Sequence, residues 1–86
     1  MDYKKYCWNV IKRLNEVISD KFKGTPNYRY HMVLAIKEYA GDEFLSMNDV
    51  WDLAVQTDEE LKLNIENIIE YYNNQIKEEE WQIESN

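Results

Sequence analysis

Cys7 and His31 are the only thiol and the only imidazole in this chain of 86 residues, so nucleophilic chemistry of the Cys/His kind would rest on that pair. Neither is placed for it. The residues three and four positions from His31 are Asn27, Tyr28, Leu34 and Ala35, which supply no carboxylate or second imidazole on the same helical turn. Cys7 falls in a row of apolar residues, where a thiol behaves as a small hydrophobe and resists ionisation. A single cysteine also rules out a disulfide within the chain and the common multi-cysteine zinc spacings.

Carboxylates are abundant, but their placement has simpler explanations than catalysis. Asp58, Glu59 and Glu60 open a helix, and Glu78, Glu79 and Glu80 form a solvated run. A carboxylate catalyst needs one acid lifted in pKa by an apolar pocket, and no spacing here provides one. The two glycines, Gly24 and Gly41, are too few and too far apart for a phosphate-cradling loop, and calcium-loop spacing is absent. The expectation is a protein that is not an enzyme and that needs no cofactor or metal.

Thr57 and Glu60 form a capping box, with the two side chains set to satisfy each other's backbone amides. At about 100° per residue, Leu61, Ile65, Ile68, Ile69, Tyr72 and Ile76 share one face of the helix that follows, and Glu66, Glu70, Asn73 and Lys77 lie opposite. Leu63 and Trp81 project from the wrong side of that stripe, and Glu79 would lie within it. The predicted helix therefore spans 58–78, with residues 79–86 expected as an acidic tail that frays because clustered acids oppose the helix dipole.

Before it, Tyr3, Tyr6, Cys7, Val10, Ile11, Leu14, Val17 and Ile18 repeat at helical spacing and predict a helix over 3–22, stopped by Gly24. Thr25 and Pro26 then suit the start of a helix over 26–40, antiparallel to the first. Residues 27–40 also alternate in a way a strand would. Fourteen residues between Pro26 and Gly41 exceed a typical strand, which favours helix. Apolar residues on several sides of it imply an enclosed element or one that meets a partner.

Phe44 and Leu45 are expected to tuck under the bundle, and Ser46 with Asp49 to cap a short helix over 47–56. Met47, Val50, Trp51 and Ala54 form its predicted apolar face, with Trp51 as core filler. The fold class is thus all-α: a small antiparallel bundle of about four helices, with residues 1–78 as one domain. No apolar run approaches the 18 or so residues of a membrane span, and a reducing, cytoplasmic setting is expected.

Charge is unevenly divided. Residues 1–41 hold eight Lys and Arg against four Asp and Glu, whereas residues 42–86 hold two against thirteen, for a net charge of −7. The helix over 47–56 contains Asp49 and Asp52 and no base, so it would be repelled by a DNA major groove, and direct nucleic-acid binding is not expected. An acidic surface with spare apolar residues suits a protein partner with a basic surface. Leu63, Glu66, Glu70, Tyr71, Trp81, Asp49 and Asp52 are the predicted contact residues. By analogy of size and acidity, the expected role is that of an accessory inhibitor or immunity protein of bacteria or phages, blocking its target sterically and electrostatically. Two alternatives remain open: a mimic of nucleic acid that occupies a partner's DNA- or RNA-binding groove, and a structural homodimer.

Overall fold

The computed structural model describes the backbone of residues 2–40 and 47–84 and the side chains of residues 2–40 and 51–79. Within them the chain forms α1 (Tyr3–Ile18), α2 (Tyr28–Tyr39), α3 (Met47–Val55) and α4 (Asp58–Glu84), with no strand among the described residues. The predicted all-α bundle of four helices is the observed architecture, and residues 28–39 are helix rather than strand.

Each helix begins and ends for a local reason. Asp2 caps α1 by accepting from the amides of Lys4 and Lys5 at 3.0 and 3.4 Å. Ser19 ends it four residues short of the predicted 22: its hydroxyl donates to the Glu16 carbonyl at 2.7 Å, substituting for the backbone bond that would have continued the helix. A series of turns follows to Asn27. Gly24 supplies the left-handed step in it at φ 86°, a conformation that disfavours side chains. Thr25 and Pro26 do not start α2. Thr25 Oγ1 instead donates back to the Phe22 carbonyl at 2.8 Å, and Asn27 occupies the cap position without a side-chain bond.

At α4 the capping box forms as predicted. The Glu60 amide donates to Thr57 Oγ1 at 3.2 Å, and the Thr57 amide donates to Glu60 Oε1 at 3.4 Å. The helix has 27 residues, about 40 Å of rise, and continues six residues beyond the predicted 78.

Contacts along the bundle set the helix directions. Tyr6 of α1 lies edge-on to Tyr72 of α4, with ring centroids 6.3 Å apart. Tyr72 in turn donates to the Tyr39 carbonyl at 3.0 Å, while at the far end Arg29 meets Asp58 at 3.3 Å. The start of α1 and the end of α2 therefore lie beside the later turns of α4, and the start of α2 lies beside its first turn. It follows that α1 is antiparallel to both partners and that α2 and α4 run parallel. A parallel pair needs a return stroke, and the stretch containing α3 provides it.

The core is a single cluster. Cys7, Val10, Ile11, Leu14 and Val17 of α1 meet Tyr28, Met32, Ala35 and Ile36 of α2, Leu53 of α3, and Leu61, Ile65, Tyr72 and Ile76 of α4. Leu14, Met32, Leu61, Ile65 and Cys7 are fully buried, and the described core contains no polar or charged residue.

Three expectations about faces change. Trp51 is 73% exposed, not core filler, and Ala54 is exposed as well. Among the described side chains of α3 the contribution to the core comes from Leu53, where this short helix touches α2. Tyr3 and Tyr6 are each about two-fifths exposed, because the stripe of α1 begins at the open end of the bundle. Finally, of the two readings of α2, full enclosure does not hold, since Tyr30 and Leu34 face solvent. Phe44, Leu45 and the predicted Ser46 cap lie outside the described residues.

Two neighbours on α4 should separate core from surface. Leu61→Ala is expected to cost about 2–5 kcal/mol, a large part of the stability of a chain this size, and Leu63→Ala about 0.5 kcal/mol or less. Urea denaturation of the two variants at neutral pH measures the difference. A second expectation concerns pH. Burial foremost, then the neighbouring Tyr6, pushes the Tyr72 phenol up to about 12 from 10. Because the fold favours the neutral phenol, this contribution is intact below pH 10 and is lost as pH rises through 12. Stability should fall over that window by an amount on the order of 2 kcal/mol, and Tyr72→Phe should flatten the fall while costing about 1 kcal/mol at neutral pH. Denaturation midpoints read at intervals from pH 8 to 12 test both statements.

Candidate functional site

The junction between α3 and α4 is held by one cation. The last carbonyls of α3 have no partner within the helix. Arg29, reaching across from α2, donates through Nη2 to the Ala54 carbonyl at 2.8 Å and to the Gln56 carbonyl, and through Nη1 to Asp58 Oδ1 at 3.3 Å. A guanidinium suits this position because it presents several donors in a fixed fork and places positive charge at a helix C-terminus. The Asp58 pair is half-exposed and worth little by itself. The carbonyl contacts matter more, since they fix where α3 ends and α4 begins. Asn64 adds a second tie by donating to Gln56 Oε1 at 2.7 Å.

With the junction held, α2, α3 and α4 enclose an open groove of about 470 Å³. Its apolar surface comes from Ile36, Tyr39, Leu53, Ile68 and Tyr71, and its polar edge from Asp52, Gln56, Asn64 and Asn67. No Lys or Arg is among the described residues that line it. Tyr71 stands at the lip, 47% exposed, and packs edge-on against Tyr72 with centroids 5.3 Å apart.

The predicted contact residues divide into two groups. Asp52 and Tyr71 border the groove, whereas Leu63, Glu66 and Glu70 lie on the outward side of α4. The two groups are adjoining, because Leu63, Asn67 and Tyr71 repeat every four residues and form one row beside the acids. Leu63 is 57% exposed. The side chains of Asp49 and Trp81 lie outside the described residues. The amides Gln56, Asn64 and Asn67 and the pinning residue Arg29 were missed from sequence. Asn64 and Asn67 on one side of α4 were a visible irregularity, whereas the destination of Arg29 depends on how α2 and α4 are aligned.

Cys7 and His31 are not brought together. Cys7 is fully buried among the core residues of α1, and burial pushes its thiol pKa up. His31 packs 5.7 Å from Phe22 and 5.9 Å from Tyr30, and with Arg13 and Val17 it borders two smaller clefts between α1 and α2. Arg13 and Val17 lie about 9 and 15 Å of helix rise beyond Cys7. In these clefts the cations Arg13 and Lys37 share space with Glu16 and Glu38, so no strong field of one sign builds up.

Among the described residues no group of three or more His, Cys, Asp or Glu side chains is placed to hold a metal ion, and no helix is long and apolar enough to cross a membrane. No protein family, curated protein or solved structure matches the chain.

If Arg29 holds the junction, Arg29→Met should release α3 before the rest of the bundle. The expected loss is about 0.5–1.5 kcal/mol, from the lost hydrogen bonds to the two carbonyls rather than from the ion pair. Hydrogen exchange should quicken in α3 and the first turn of α4 and remain slow around Leu14 and Ile65.

Proposed function

We propose that this chain is a small, non-enzymatic protein-binding module that blocks a basic surface of another protein, in the manner of an accessory inhibitor or immunity protein. One observation carries the reading. On α4 the apolar residues at core spacing, Leu61, Ile65, Tyr72 and Ile76, are used up in holding the bundle, yet Leu63 and Tyr71 remain exposed beside Glu66 and Glu70. Apolar side chains set among like charges are the makings of an interface, with the apolar groups supplying affinity and the charges steering encounter and rejecting acidic surfaces. The net charge of −7 adds a long-range attraction to a basic partner.

The length of α4 favours a second reading, in which the carboxylates along about 40 Å of helix stand in for nucleic-acid phosphates and occupy a groove that normally holds DNA or RNA. The two readings differ in the competitor. A mimic's partner would be displaced by duplex DNA or structured RNA, and a plain inhibitor's partner would not.

Affinity capture with the wild-type chain and with a Glu66→Lys, Glu70→Lys double variant tests the electrostatic blocking. A target retained by the first and lost by the second is expected. Its association rate should fall tenfold or more between about 50 mM and 500 mM salt as the charges are screened. A rate indifferent to salt, or equal capture by both chains, would remove charge from the mechanism.

A further inference from the structure

We infer that the groove between α2, α3 and α4 receives the apolar face of a partner segment that carries Lys or Arg on either side of its anchoring residues. This deepens the reading above and rests on it. A volume of about 470 Å³ lies within the range of roughly 300–1,000 Å³ in which concave sites bury most of a bound group. The floor formed by Ile36, Leu53 and Ile68 offers only dispersion and dehydration, so an aliphatic or aromatic side chain is its complement.

The walls decide what flanks that side chain. Asp52 contributes the one charge among the described lining residues, and on the α2 side Arg29 is spent on Asp58 and two carbonyls. On the open side the row Leu63, Asn67, Tyr71 passes directly to Glu66 and Glu70. A segment seated with its apolar residues inward thus places its flanks beside carboxylates on both sides, Asp52 on one and Glu66 and Glu70 on the other. Cations there are attracted and acids repelled. The carboxamides of Gln56, Asn64 and Asn67 can both donate and accept, which suits the polar backbone groups at the end of a docked helical turn. A second copy of the chain is a poor occupant, since two bodies of charge −7 repel.

The test uses the intact 15N-labelled chain and three synthetic peptides of about fourteen residues: one with Leu at helical spacing among Lys, one with those Leu replaced by Ser, and one with Lys replaced by Glu. The Lys/Leu peptide is expected to shift the side-chain amide signals of Gln56, Asn64 and Asn67 to saturation. The Lys/Ser and Glu/Leu peptides should each bind at least tenfold more weakly. Asn67→Trp, which fills the groove, and Asp52→Lys, which reverses its charge, should weaken the Lys/Leu peptide by a similar factor, with circular dichroism showing an unchanged helix content.

Equal binding of the Lys/Ser peptide, with shifts confined to Glu66 and Glu70, overturns the groove while leaving the electrostatic reading in place. Equal binding of the Glu/Leu peptide overturns the requirement for cations. Contacts of the chain's own Phe44 or Leu45 with the groove in the absence of peptide, or shifts that follow chain concentration alone, overturn it in favour of those occupants. No binding of any peptide overturns both this inference and the reading beneath it.

Discussion

Burial of the α4 stripe against α1 is the interaction on which the other features depend. Leu61 and Ile65 are wholly enclosed, and they meet a buried row of Cys7, Val10, Ile11, Leu14 and Val17. In a chain this small the surface that folding can hide is limited, so most of the driving force must come from this one seam. No charged residue is buried in the described core, so the seam incurs none of the desolvation cost that buried charges bring. Aromatic residues close its open end. Tyr6 lies against Tyr72, whose hydroxyl satisfies a carbonyl at the end of α2, so one phenol both fills space and terminates a helix.

The seam leaves α2 lying along α4 in the same direction, and the chain must travel the length of the pair before α4 can begin. α3 belongs to that return stroke. Among its described side chains it contributes Leu53 to the core, and it is tied at its end by Arg29. Trp51 and Val55 face outward, while Asp52 and Leu53 border the groove. The concavity thus lies where the two parallel helices and the short third one meet.

What was legible in the sequence was what local physics controls. Thr57 and Glu60 satisfy each other wherever the helix lies, and the spacing of Leu61, Ile65 and Ile76 marks a buried face whatever it packs against. The faces of α3 were not legible. A helix of nine residues has too few turns for its apolar residues to define one side, and Trp51 reads as core by type although among the described side chains of α3 it is Leu53 that is buried. The end of α1 was misread because Ser19 acts through a hydroxyl bond to Glu16, whereas Gly24 is the more visible punctuation. In the candidate site the exposure of Leu63, Glu66, Glu70 and Tyr71 followed from the helical wheel, but the groove beside them depends on tertiary alignment that no single stretch encodes.

Pairing α1 with α4 also constrains how the structure can be reached. The first helix must wait for the last before its oily side is covered, so the decisive contacts join residues far apart along the polypeptide, and closing that long span costs entropy before any contact repays it. During synthesis α1 and α2 would emerge with their shared hydrophobic surface still uncovered, and cooperative collapse would come only once the turns around Leu61 and Ile65 had left the ribosome.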